Sequence, residues 1–135
     1  MPIEIPPHFI LLSMIFLHIV ADFHLQGILG TMKQKEFWEK NYPDKKYRHD
    51  YIVALILHGF EWSFIVHIPI ILCLLPIMDK PIVGVLAMNL LLHGYIHSFV
   101  DNAKANTKCL SLVADQALHL AQLSAILVVY YFLLR

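Results

Sequence analysis

Four long apolar stretches, at 9–27, 51–75, 82–102 and 110–134, leave a chain of 135 residues few ways to fold. A helix needs roughly 18 or more apolar residues to cross a hydrocarbon core about 30 Å thick, and each stretch meets or approaches that length. In lipid, backbone N–H and C=O groups must be satisfied inside the span, which makes helices the expected form. Composition agrees, with 59% hydrophobic and 15% charged residues. The expectation is an all-α polytopic membrane protein: residues 1–135 as one four-transmembrane-helix bundle in contact with the lipid bilayer.

The amino-terminal region has no basic segment, and the first stretch carries His18 and Asp22 before any small-residue cleavage site. It therefore reads as a retained span rather than a cleaved signal. Pro69 predicts a kink in the second span. "PIMDKP" at 76–81 is short enough to force spans two and three into an antiparallel hairpin. Lys33, Lys35, Lys40, Lys45, Lys46, Arg48, Lys104 and Lys108 lie on one side of the membrane, against Lys80 and Arg135 on the other. That bias predicts an inner (cytoplasmic) membrane protein with both basic loops cytoplasmic and both termini external. Formal net charge is zero and topology already accounts for the basic residues, so no nucleic-acid partner is expected. Cys73 and Cys109 would sit at opposite ends of the bundle, which argues against a disulfide, and they lack metal-pair spacing.

The one long polar segment, 28–50, holds Met32, Phe37 and Trp38 among lysines. It predicts a short amphipathic helix at the cytoplasmic interface, broken by "NYPD". Anchoring is its simpler role, and a lid over a site is the sharper one. "LILHGFEWSF" at 55–64 faintly echoes "NLLLHGYIHSF" at 89–99, and Gly59 and Gly94 predict a close approach of two helices.

Ionisable groups within spans are expensive, on the order of 2.5–3.5 kcal/mol for a central Asp, so their placement needs a reason. At 1.5 Å rise per residue, His18, His58, His93 and His119 fall at a common depth roughly 12 Å from the cytoplasmic ends of their spans. Asp22, His97 and Asp115 follow about 6 Å in, with Asp101 at the mouth. His18 and Asp22, His93 with His97 and Asp101, and Asp115 with His119 are four apart, while His58 and Glu61 are three apart. Each set shares a helical face. Membrane histidines are often mere hydrogen-bonded packing residues, and His8, His49 and His67 are read that way. For the others that reading would have to hold separately on four helices and predicts no common depth.

The alternative is a shared metal site of His18, Asp22, His58, His93, His97, Asp101 and His119. Histidine and carboxylate without thiolate suit a divalent metal, zinc favoured, with iron, manganese or nickel as other occupants, and one or two ions.

"HIVADFHLQ", "MKQK", "LILHG", "HSFVDNAK" and "DQALH" together resemble the signature of small bacterial and phage membrane proteins filed as domain of unknown function 3307. The matching positions are His18, Asp22, Gln26, His58, His97, Asp101, Lys104, Asp115, Gln116 and His119, with Lys33 or Lys35 as the lysine; His93 and Glu61 are unmatched. The resemblance runs the length of the chain and implies a small helical membrane protein, without an established activity.

The leading functional expectation is a metal-dependent hydrolase acting on a lipid or lipid-linked substrate at the cytoplasmic leaflet. Asp115 or Glu61 would be the base, Lys104 or Lys33 would hold an anionic group, and Gln26, Lys33, Lys35 and Gln116 would line the substrate site. An ion or proton transporter or channel subunit is the alternative, with a homo-oligomer supplying the pore. A non-enzymatic phage or bacterial membrane accessory protein leaves the His/Asp layer unexplained. A b-type haem protein fits least, because carboxylates crowd the same depth. No Gly-x-Ser-x-Gly motif supports serine chemistry.

Overall fold

The computed structural model describes residues 5–133; Arg135 and the end of the fourth stretch at 134 lie outside the described residues. Helix α1 (Pro7–Val20) continues into a single π-helical turn (Ala21–Leu25), and Gly27, at φ +46°, turns the chain out of the bundle. A side chain at that φ is strained, and glycine avoids the penalty. Two short helices, α2 (Leu29–Met32) and α3 (Lys35–Asn41), and a 3₁₀ turn (Lys45–Tyr47) cross that end of the molecule. Helices α4 (Asp50–Leu74), α5 (Lys80–Ala105) and α6 (Leu112–Leu133) complete the bundle, with a second 3₁₀ turn at Leu75–Ile77.

Four helical segments are long and apolar enough to cross a membrane: Pro7–Leu25, Lys45–Ile77, Lys80–Ala105 and Leu112–Phe132. They follow the four apolar stretches to within a few residues, except that the second also takes in the 3₁₀ turns flanking α4. That helix runs through Pro69 without ending there. The side-chain distribution is inverted relative to a water-soluble domain. Phe16, Phe99 and Val113 are 65%, 67% and 80% exposed, while His18, His58, His97, His119 and Asp115 are no more than 1% exposed. Such an exterior suits acyl chains, consistent with a multi-pass membrane protein.

The two ends of the bundle differ. Towards the 75–79 hairpin, Met14, Trp62, Val66, Ile70, Leu74, Leu123 and Ile126 make an apolar core. Towards the basic loops the interior is polar. Asp79 caps α5, its Oδ1 accepting from the Ile82 N–H at 2.9 Å. Asp79→Ala should cost about 1 kcal/mol through loss of that cap, read as a lower thermal midpoint in detergent with metal content unchanged.

Helices α4 and α5 form the most extensive packing pair, antiparallel across the short hairpin. A Cβ on Gly59 would collide with the Ser98 hydroxyl and the Gly94 carbonyl, and one on Gly94 would lie 3.1 Å from the Gly59 carbonyl oxygen. Ser63 Oγ donates to Leu90 O and Ser98 Oγ to Leu55 O, both at 2.8 Å. The echo between 55–64 and 89–99 is thus a local two-fold relation, with the glycines at its axis and the serines exchanging hydrogen bonds.

The polar loop is more elaborate than a single amphipathic helix. Chain direction changes at Tyr42–Asp44, and Trp38 is buried among Phe37, Tyr42 and Tyr47, its Nε1 donating to Met32 O. Asn106, capping α5, clamps this loop to the bundle: its Oδ1 accepts from Lys35 N at 2.7 Å and its Nδ2 donates to Lys33 O at 3.0 Å.

Candidate metal centre

The polar half of the bundle gathers Asp22 from the π turn, His58 from α4, His97 and Asp101 from α5, and Asp115 and His119 from α6. Helical side chains lean toward the amino terminus of their own helix. On α1 and α5, which run toward the basic loops, Asp22 and Asp101 therefore lean inward. On α4 and α6, which run the other way, His58, Asp115 and His119 lean back to meet them. The π turn carries Asp22; its wide geometry leaves the Asp22 carbonyl to accept from Gln26 Nε2. Gln26 thus braces the turn.

Four donor atoms, from His58, His97, Asp22 and Asp101, lie close together, and three of these residues, His58, His97 and Asp101, form one group that could hold an ion. His58 Nε2 and His97 Nε2 are 3.3 Å apart. Asp22 Oδ1 is 3.4 Å from each. Asp101 Oδ2 is 3.5 Å from His58 Nε2 and 3.7 Å from His97 Nε2. Donors about 2.0–2.1 Å from a tetrahedral ion would be spaced roughly 3.3–3.4 Å apart, so five edges of the figure are near that size. His119 Nε2 is the hub of a second set, 3.5 Å from Asp101 Oδ1, 3.5 Å from Asp115 Oδ1 and 3.9 Å from Asp22 Oδ2. This buried cluster could hold a metal ion.

Two lysines reach the carboxylates: Lys33 Nζ donates to Asp101 Oδ2 and Lys104 Nζ to Asp115 Oδ2 at 2.7 Å. Asp22 is 7% exposed, and among the described residues the groups that pair with its carboxylate are all imidazoles. A buried carboxylate without a cation is strongly disfavoured, so Asp22 calls for positive charge beside it, from a bound cation or a protonated imidazole.

Ring packing sets the imidazole orientations. Trp62 stacks on His97 at 4.2 Å, and His97 stacks on His119 at 4.3 Å between centroids. The Nδ1 atoms of His58, His97 and His119 have no hydrogen-bond partner among the described residues, leaving Nε2 as the atom each ring turns to the carboxylates.

His18 differs. Trp62 Nε1, which can only donate, bonds His18 Nδ1 at 2.8 Å. The proton of a neutral ring is then on Nε2, which donates to Gln116 Oε1 at 3.0 Å. Gln116 Nε2 donates onward to Asp115 Oδ2 at 3.0 Å. His18, expected as a ligand, has both ring nitrogens engaged, and its hydrogen-bond chain orients Asp115. Gln116, expected at the substrate, is a link in that chain.

Three expected residues are not brought to the cluster. Glu61 is half-buried and makes no ion pair or hydrogen bond among the described residues. Lys35 pairs with Glu39 on the surface, leaving Lys33 as the lysine at the site. His93 lies across the two-fold relation from His58 and leans toward the opposite end, where its ring is 6.2 Å from His67. There His67, His93, Tyr130 and Gln122 form a second polar layer. His67, taken from sequence as a packing residue, bonds Ser63 O through Nδ1 at 2.7 Å, and Gln122 Nε2 donates to His93 O. His93→Leu should leave metal content at the wild-type level, whereas His97→Ala should lose it, both by elemental analysis of purified protein.

Trp62 and Asn106 went unnoticed in the sequence. A tryptophan in an apolar run and an asparagine after a helix carry no local mark of their roles. Comparison with protein-family models, curated proteins and solved structures finds no match, so the family resemblance rests on the motif residues alone.

Proposed function

We propose that this protein is a membrane-embedded metal-dependent hydrolase acting on a lipid or lipid-linked substrate at the leaflet of its basic loops, with zinc as the favoured metal. The approach of Asp22 Oδ1 and Asp101 Oδ2 to the paired His58 and His97 Nε2 atoms, at 3.4–3.7 Å, carries the reading. A divalent metal bound there supplies a Lewis acid and lowers the pKa of a coordinated water.

The chain's own groups have distinct parts. Asp115, oriented by Gln116 and Lys104, turns toward His119 a buried oxygen, Oδ1, that has no hydrogen-bond partner among the described residues and is free to take a proton or a cation. Lys33 and the half-exposed Lys104 present ammonium groups from the loop side to an anionic substrate group. In hydrolysis the water oxygen would bond to the acyl carbon or the phosphorus, the ester C–O or P–O bond would break, and one water proton would pass to the departing alkoxide to give the alcohol. Lys33, held over Asp101 by the Asn106 clamp, gives loop 26–49 the position of a lid.

The test uses purified protein reconstituted into phospholipid vesicles, with elemental analysis and mass spectrometry of the lipids. Stoichiometric metal and lipid cleavage abolished by His97→Ala are expected. Absence of bound metal overturns the metal centre, and metal without cleavage of any lipid acyl or phosphoryl bond overturns the hydrolase. The His67–His93–Tyr130–Gln122 layer favours a second reading, ion or proton transport, since it carries polar groups further along the bundle. Flux into these vesicles, lost in Asp22→Asn, would replace hydrolysis with transport.

A further inference from the structure

We propose that the cluster is a dinuclear centre, with Asp22 and Asp101 bridging two divalent cations, whose substrate group is phosphoryl; this rests on the metal-centre reading above. Both carboxylates are divided between the two donor sets. Asp101 turns Oδ2 to His58 and His97 and Oδ1 to His119. Asp22 turns Oδ1 to the same pair and Oδ2 toward His119 at 3.9 Å. A carboxylate shared in this way suits ions about 3.5–4 Å apart, the spacing of two-metal hydrolytic sites.

The second position has its own unpartnered donors. His119 Nε2 and Asp115 Oδ1 are buried without a hydrogen-bond partner among the described residues, on residues 0% exposed. They lie 3.5 Å apart, and Asp101 Oδ1 is 3.5 Å from His119 Nε2. A single ion among His58, His97, Asp22 and Asp101 would leave both atoms unsatisfied.

The two positions differ in kind. The first draws on four residues, His58, His97 and Asp101 with Asp22 Oδ1 at 3.4 Å from both Nε2 atoms, and is the more fully ligated. The second has three donors at the shorter distances and Asp22 Oδ2 further off, 3.9 Å from His119 Nε2, which makes it the looser of the two and the one a water or substrate oxygen would enter. It is also the one beside Lys104 and Gln116, through their bonds to Asp115 Oδ2.

Charge selects the substrate. Three carboxylates, two lysine ammoniums and two divalent ions together leave three positive charges at the centre. An anionic phosphate ester compensates them, whereas a neutral carboxylic ester does not. The phosphoryl group has two sources, a lipid headgroup or a soluble phosphate.

Elemental analysis of the full chain in detergent, with Mn(II) loading and low-temperature EPR, tests the pair. Two ions per chain and a spin-coupled spectrum are expected, with His119→Ala and Asp115→Asn each retaining one ion and losing the coupling. One ion per chain with an isolated-ion spectrum overturns the dinuclear proposal and leaves the metal reading standing; no ion overturns both. Phosphorus-31 relaxation by the Mn(II)-loaded protein then distinguishes the sources. Enhancement with phosphatidate vesicles assigns a lipid phosphate, and enhancement with inorganic phosphate alone assigns a soluble one. No enhancement with either overturns the phosphoryl assignment.

Discussion

Asp101→Asn should empty the site. Its carboxylate faces His58, His97 and His119 and accepts from Lys33, so one substitution removes charge from both donor sets and leaves an ammonium without its counterion. Breaking a buried pair in this way costs on the order of 3–5 kcal/mol. Expressed in metal binding, that is a loss of affinity of about 100- to 4000-fold. Competition with a chelator of known affinity measures it directly. Lys33→Met separates the two contributions: it removes only the ammonium on Oδ2, and metal affinity should stay level or rise. Equal losses in both variants would mean that Lys33 and Asp101 act as a structural ion pair and that the metal reading is wrong.

The second large effect concerns the crossing of α4 and α5. Gly59→Ala adds one carbon where the Gly94 carbonyl and the Ser98 hydroxyl already stand. Neither can yield easily, because the carbonyl is backbone and the Ser98 Oγ is hydrogen-bonded to both Leu55 O and Gly94 O. Overpacking of this kind costs typically 1–3 kcal/mol, and the upper end or more is expected here. Because His58 precedes Gly59 and His97 precedes Ser98, separating the helices also moves two donors apart. A fall in thermal midpoint should therefore accompany loss of metal. Gly84, with nothing within 4 Å of its Cβ position, supplies the control: Gly84→Ala should hold or slightly raise the midpoint through helix propensity. An unchanged midpoint in Gly59→Ala would show that the helices do not cross there.

The residues of the centre were legible in the sequence to different degrees, each for a physical reason. Asp22, His97, Asp101, Asp115 and His119 stand out because charge and imidazole in an apolar span are costly, and their four-residue spacings put them on common faces. Depth arithmetic alone misassigned His93, because it counts rise along an axis and ignores the lean of side chains. Antiparallel neighbours at equal depth point their side chains in opposite directions. Glu61 differs for a related reason: three residues from His58 is close to the same face, and the difference in angle is enough to leave it half-buried and outside the cluster's ion pairs. The choice of Lys33 over Lys35 depended on the Asn106 clamp, a contact between segments about seventy residues apart.

The apolar lengths and polar exceptions along the chain determined that four helices form, that they are apolar enough to cross a membrane, and that histidines and aspartates line their interior. Those properties follow from local energetics, since each helix satisfies its own backbone and each buried charge must be explained where it stands. The tertiary structure alone decided which nitrogen of each ring turns to the carboxylates, that His18 orients Asp115 through Gln116, and that Asp22 and Asp101 divide their oxygens between two sets of donors. These depend on differences of an ångström or two between atoms on separate helices, set by how the helices pack and by the close approach at Gly59 and Gly94.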